Sequence, residues 1–231
     1  MSVQMTFRNL LALPVFLALA GLRAQAPVRP LVEVNTTQGR MVWALYNETP
    51  LHRDNFLRLV QEHYYDSTLF HRVVPGAMLI GGDATSKAAD DRHKVLGQGS
   101  VGTALPPEIR PGIVHVKGAV GMLPDETAPA ADKRSHGAFF YIVQGQDWAP
   151  GDLRLVEQKR AAINPEEGFH YTPEQLRAYA TDGGSPKMDG NYTIFAQVIE
   201  GLDVIDRIAA LPCDGRDRPL TDVRLWMREL K

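Results

Sequence analysis

Arg72 is the residue of this chain whose neighbours best equip it for chemistry. It lies in the run Phe70-His71-Arg72-Val73-Val74-Pro75-Gly76-Ala77-Met78-Leu79-Ile80-Gly81-Gly82-Asp83. Two apolar halves flank Pro75-Gly76, which predicts two short strands joined at a turn or bulge and ended by Gly81-Gly82. In a strand Arg72 shares a face with Phe70 and Val74, both apolar, and a guanidinium is almost never fully buried unpaired. Either its stem lies along an apolar floor with the head at a pocket mouth, or it pairs with an acid that the sequence does not identify. A cation at such a rim suits electrostatic stabilisation of charge that develops during a reaction.

Rival chemistries are less well equipped. Gly97 to Gly102 matches GxGxxG, but a dinucleotide site needs a strand before it and a helix after it. Pro106-Pro107 forbids that helix. Cys213 is the single cysteine, so it reads as a small structural residue and no disulfide framework is expected. His52 reads as a surface residue and His63 as one at the edge of the core; no second His or Cys stands at metal-ligand spacing. No metal and no other cofactor is expected.

The chain has 231 residues and a formal net charge of −2, enough for one domain with a core and an insertion. It carries no basic block, so neither nucleic acid nor an anionic membrane surface is an expected partner. Arg8 precedes the apolar run Leu10 to Leu22, followed by Arg23-Ala24-Gln25-Ala26. A basic start, a short apolar core and small residues after it describe a secretory signal peptide over residues 1–24. Cleavage is expected after Ala24, because Pro27 would hinder cutting after Ala26. The mature chain, residues 25–231, is then exported, periplasmic or secreted, and free of the membrane.

Leu31 to Thr37 and Met41 to Tyr46 read as a β-hairpin turning at Gln38-Gly39. A helix is expected near Leu51 to His63, with Phe56, Leu59, Val60 and His63 on one stripe. Residues 84–110 read as loop, and His115 to Met122 and Gly137 to Val143 as strands. From about 147 to 186 the pattern turns helical. Asp152 to Ala162 forms one charged helix, and Thr172-Pro173-Glu174-Gln175 caps a second that runs to about Ala180. Its charged faces read as a solvated cap, with a partner-binding surface as the alternative. Leu202 to Leu211 is an amphipathic helix, and Arg224 to Met227 a closing strand.

The Phe70 to Asp83 run resembles the FHRVxPGFMxQGGD block of the cyclophilin-type peptidyl-prolyl isomerases, and Tyr64-Tyr65-Asp66-Ser67-Thr68 resembles the YYDGT before it. Further likenesses follow in the family's order. Residues 48–60 resemble the first helix, His115 to Met122 resembles HxRGAVSMA, and Gly137 to Val143 resembles GSQFFI. Met188 to Gly201 resembles LDGxxTVFGxVxEG, and Arg218 to Val223 resembles RPLxDV. The resemblance spans about residues 31–146 and 187–228. It implies a mainly β fold: a closed eight-stranded antiparallel barrel capped by two helices, here with a helical insertion like those of exported bacterial members.

The same resemblance implies the activity and the site. Prolyl isomerisation must overcome amide resonance, a barrier of about 18–20 kcal/mol. A cationic donor aimed at the lone pair of the twisted prolyl nitrogen stabilises that state selectively. Arg72 stands at the family's catalytic arginine, Met78 at the methionine of the proline pocket, Tyr141 at its aromatic floor and Met188 at its leucine. Ala77 replaces a pocket phenylalanine, Ile80 the glutamine that holds the arginine, and Phe139 a second glutamine, with the Phe139-Phe140 pair leaving that register open. Leu123-Pro124 replaces Ala-Asn, Tyr192 a histidine and Lys187 a tryptophan. Phe139 is expected to refill the space that Ala77 vacates. The expected partners are proline-containing segments of unfolded proteins, met by a monomer. A second reading is a weakly catalytic or inactive peptide-binding module or chaperone on the same fold.

Overall fold

The computed structural model describes residues 28–89, 94–99, 102–163 and 168–231. The expected signal peptide lies outside the described residues. Nine strands form one sheet: β1 Leu31–Thr36, β2 Gly39–Leu45, β3 Thr68–Leu69, β4 Arg72–Val74, β5 Met78–Gly81, β6 Ala119–Pro124, β7 Ser135–Val143, β8 Ile194–Glu200 and β9 Arg224–Leu230. Their order is β3-β9-β1-β2-β8-β6-β7-β5-β4, with antiparallel neighbours throughout.

This corrects the expectation of a closed barrel of eight strands. The sheet has nine, curls into a half-barrel, and its hydrogen-bonded ladder is open between β3 and β4. Those end strands are consecutive in the chain and separated by Phe70-His71, where the backbone changes partner. The Phe70 amide donates to Val223 O on one side (3.0 Å), and the His71 amide to Ile80 O on the other (3.0 Å). The change also breaks the side-chain alternation assumed above. Phe70 and Val73 are buried in the core while Arg72 is exposed.

The concave side holds Trp43, Phe56, Tyr65, Phe70, Phe140 and Phe195, all fully buried. Trp43 stacks on Phe56 at 5.6 Å between centroids, and Phe140 meets Trp43 edge-on at 5.4 Å. Helix α1 (Pro50–Gln61) adds Phe56, Leu59 and Val60 to this core, and α4 (Leu202–Ala209) adds Val204, Ile205 and Ile208. Each such side chain contributes about 1.5–3 kcal/mol by leaving water. His63 does not belong to the α1 stripe: it lies beyond the helix with a positive φ of 55° and is exposed. His52, expected at the surface, is fully buried.

Its partner explains why. Thr49 makes no side-chain cap for α1; the cap comes from Glu108, far away in sequence. The Glu108 carboxylate accepts from the amides of Leu51 (3.1 Å) and His52 (2.9 Å) and from His52 Nδ1 (2.7 Å). A carboxylate at a helix N-terminus satisfies orphan donors and complements the dipole.

Between β7 and β8 lie α2 (Pro150–Ile163) and α3 (Pro173–Asp182), with the expected capping box of Thr172 and Gln175. They share a small core of Val114, Leu153, Tyr171 and Tyr179. His115 to Gly118 is not strand, because the Asp189 carboxylate takes the His115 amide (2.8 Å) and Gly118 turns at φ +79°.

Glu108→Ala should lower unfolding free energy by about 3 kcal/mol, since it leaves two buried donors and one part-buried donor unpaired. Thr49→Val should stay within about 0.5 kcal/mol, because the buried Thr49 hydroxyl has no partner among the described residues. Chemical denaturation of both variants tests the assignment; equal losses would contradict it.

Candidate functional site

The geometry of the site follows from one row of cross-strand partners. Arg72 on β4 pairs with Ile80 on β5, Ile80 with Tyr141 on β7, Tyr141 with Gly121 on β6, and Gly121 with Ile194 on β8. Directly opposed residues share a face, so the five lie on the convex side in one line. With strands about 4.8 Å apart, Arg72 stands roughly 10 Å from Tyr141 along it.

At the Arg72 end is a cleft of about 440 Å³, lined by His71, Arg72, Ile80, Leu123, Phe139 and Asp217 among others. Arg72 Nε donates to Asp217 Oδ2 at 3.1 Å, with 55% of the arginine side chain and 44% of the aspartate exposed. The acid that the sequence left unidentified is therefore Asp217. It sits in a turn before β9 with φ 62°, and its own carbonyl accepts from the Val73 amide at 2.8 Å. Aspartate tolerates that left-handed backbone better than most residues. The ion pair uses Nε. Among the described residues no hydrogen bond engages the two terminal nitrogens, which remain as donors for a ligand.

The row continues into an apolar patch of Ile80, Ala119, Tyr141, Val143 and Ile194, against which Met78, Leu123, Met188 and Tyr192 pack. Ile80 and Leu123 belong to both the patch and the cleft. Leu123 reaches the cleft through a register shift between Met122 and Pro124, the local kink by which bulges re-aim side chains. Phe140 meets Trp43, Phe56, Tyr65 and Phe70 in the core. Phe139 and Tyr141 therefore face outward, which settles the open register. Phe139 stacks on His136 with centroids 4.1 Å apart and planes 5° from parallel.

Tyr141 lies across β6 because position 121 is glycine: a Cβ there would collide with the Tyr141 hydroxyl. That hydroxyl is 2.8 Å from His115 Nε2, and His115 Nδ1 is 2.7 Å from Asp189 Oδ1. Asp189 Oδ2 accepts from the Tyr171 hydroxyl (2.8 Å) and the Tyr179 hydroxyl (2.6 Å). An ionised carboxylate only accepts, so His115 carries its proton on Nδ1, and in the neutral imidazole Nε2 accepts from Tyr141. Burial first, then Tyr192 and Asp189, push the Tyr141 phenol well above its ordinary value. Burial first, then Asp189, does the same to Tyr171 and Tyr179. All three stay protonated donors at neutral pH.

Eight of the residues singled out from the sequence lie on this convex surface: Arg72, Met78, Ile80, Leu123, Phe139, Tyr141, Met188 and Tyr192. Asp217, His115 and Asp189 were not singled out; Asp217-Arg218-Pro219 carries no local sign that its acid pairs with residue 72. One expectation fails. The Ala77 carbonyl accepts from the amides of Gln144 and Gly145, so Ala77 sits five residues from Phe139 along β7, about 16 Å at roughly 3.3 Å per residue. Phe139 does not refill the Ala77 space. Two glycines of the GxGxxG run have local roles instead: the Gly97 amide donates to Asp83 Oδ2 at 2.5 Å, and a Cβ at Gly99 would meet Thr85 and Asp83. Among the described residues no group of three or more His, Cys, Asp or Glu could hold a metal ion.

The model for cyclophilin-type peptidyl-prolyl cis-trans isomerases matches residues 31–228. A Streptococcus pyogenes protein named as a bifunctional phosphatase/peptidyl-prolyl cis-trans isomerase is 30% identical over 197 residues, 84% of this chain; the chain spans 37% of that relative's length. A peptidyl-prolyl cis-trans isomerase-like 1 of Neurospora crassa is 29% identical, covering 84% of this chain and 90% of that one. A Staphylococcus aureus peptidyl-prolyl cis-trans isomerase is 29% identical, covering 83% and 87%. In structure, a Cryptosporidium parvum cyclophilin-type isomerase crystallised in the presence of the dipeptide Ala-Pro aligns with a TM-score of 0.56 at 20% identity, covering 86% of this chain and 98% of that one. The chain belongs to the cyclophilin-type peptidyl-prolyl cis-trans isomerases.

Proposed function

We propose that Arg72 is the catalytic side chain of this isomerase, and that its substrates are X–Pro bonds in unfolded segments of exported proteins. The observation that carries this reading is the Arg72 guanidinium, held by Asp217 through Nε at the rim of a cleft continuous with an apolar patch. The patch, with Met78, Tyr141, Met188 and Tyr192, receives the proline ring. The free end of the guanidinium meets the prolyl nitrogen as rotation localises its lone pair. That contact is stronger in the twisted state than in the planar one, so it lowers the barrier instead of merely binding substrate. No bond to another group forms or breaks.

In this reading Asp217 takes over the anchoring that Ile80 cannot supply. Ile80, Leu123 and Phe139 place apolar surface where the family holds the peptide with polar groups, so substrate is gripped largely by apolar contact. Each substrate hydrogen bond forgone is worth about 0.5–1.5 kcal/mol, which makes turnover on short peptides low. The apolar run Leu10 to Leu22 and the small residues after it support export.

In a protease-coupled assay on a short Ala-Pro peptide, Arg72→Ala should lower kcat/KM at least a hundredfold, about 2.7 kcal/mol of transition-state stabilisation. Asp217→Asn should lower it about tenfold, roughly 1.4 kcal/mol, through kcat more than KM. Background rates for wild type and Arg72→Ala alike would leave a peptide-binding module instead. Ala77→Phe and Phe139→Gln should change kcat/KM independently, adding within about 0.5 kcal/mol as separated sites do; strong coupling would return Phe139 to the Ala77 space. Mass spectrometry of the exported protein should find Gln25 as its first residue, and a mature chain that keeps Met1 would overturn the export reading.

A further inference from the structure

Beside the prolyl site the chain builds a second concave surface. A groove of about 790 Å³ runs between α2 and the loop that follows α3, within the range of roughly 300–1,000 Å³ typical of ligand pockets. Trp148, Leu155 and Val156 contribute its apolar side, and Leu155 is 52% exposed although it is a large aliphatic residue.

The rim is basic. Lys133, Lys159 and Lys187 line the groove against one surface acid, Asp152. The other lining acid, Asp189, is buried and spent on His115, Tyr171 and Tyr179. The excess of cations stands out because the whole chain has a formal net charge of −2. Lys187 Nζ lies 5.6 Å over the Trp148 ring, so its charge is held above the apolar side.

The groove also adjoins the prolyl site through a single loop. Met188 and Tyr192 pack against the convex patch, while Lys187 and Asn191, their immediate neighbours, line the groove. A peptide seated on the patch reaches the groove within a few residues, each spanning about 3.3–3.6 Å.

We infer that this groove binds an extended client segment rich in aliphatic and acidic side chains, flanking the proline that sits at Arg72. The flanking assignment rests on the active-site reading above; the binding of an acidic, apolar peptide does not. The test uses fluorescein-labelled, proline-free decapeptides of alternating Leu and Glu, or of alternating Leu and Lys, followed by anisotropy with the full mature chain. The Glu peptide should bind at least tenfold more tightly than the Lys peptide and weaken at high salt. Leu155→Asp and Lys159→Glu should each weaken it at least tenfold while turnover of a short Ala-Pro peptide is unchanged. Arg72→Ala should bind it as wild type does, so a silent Arg72 variant would sink the active-site reading and leave the groove standing. Equal binding of the two peptides, or indifference to both groove variants, would overturn the proposal. So would self-association in sedimentation that Leu155→Asp abolishes, which would assign the groove to a second copy. Attaching the Leu-Glu segment to an Ala-Pro substrate should lower KM at least fivefold with kcat unchanged in wild type but not in Leu155→Asp; no change in KM would overturn the flanking assignment.

Discussion

The site depends on register. Arg72, Ile80, Tyr141, Gly121 and Ile194 face one another across five strands, and nothing local in any one strand forces them into line. A one-residue slip anywhere in a sheet exchanges its faces, which here would turn Arg72 into the aromatic core and Phe140 out to solvent. The core prevents that. Trp43, Phe56, Tyr65 and Phe70 all contact the Phe140 ring or each other within a few ångströms, so a slip would expose several large aromatic side chains at once. Burial on the concave side thus positions chemistry on the convex side.

The second constraint is the change of partner at Phe70-His71. A continuous strand with regular alternation would place Phe70 and Arg72 on one face. The chain instead hands its amides from Val223 to Ile80 within two residues, and in doing so sends Phe70 inward and Arg72 outward. The same step brings β4 beside the turn that carries Asp217, whose carbonyl holds Val73 and whose carboxylate holds Arg72. A half-exposed ion pair contributes little to stability, typically 0–1 kcal/mol. Its value here is positional: it restricts a long, rotamer-rich side chain at the rim of the cleft.

Much of this was legible in the sequence. The ordered motifs located most of the strands and helices, and eight of the residues singled out from them share the convex surface. What stayed hidden was non-local. Asp217 is 145 residues from Arg72, Glu108 is 56 from His52, and Asp189 is 74 from His115; each is an acid whose partner only the fold selects. The strand count failed for a related reason. The count of eight came from the resemblance, and periodicity could not correct it: it sees side chains alternate but not a backbone changing neighbours, so Phe70 to Val74 read as one strand where Phe70-His71 separate β3 from β4. Ala77 and Phe139 were matched by volume alone, and register set them far apart.

Asp189 shows why the helices between β7 and β8 are not a detachable ornament. Its carboxylate draws four donors inward: the His115 amide and ring from the barrel, and the Tyr171 and Tyr179 hydroxyls from the helical segment. Removing that segment would take away two of the four and leave a buried carboxylate under-solvated, at a cost of about 1–3 kcal/mol per lost partner or more for a charged group. The Asp189 carboxylate that loses those two donors is the one that holds His115 Nδ1, and His115 Nε2 in turn holds the Tyr141 hydroxyl across Gly121. Tyr141 on the convex patch is consequently tied, through three successive hydrogen bonds, to the helical segment between β7 and β8.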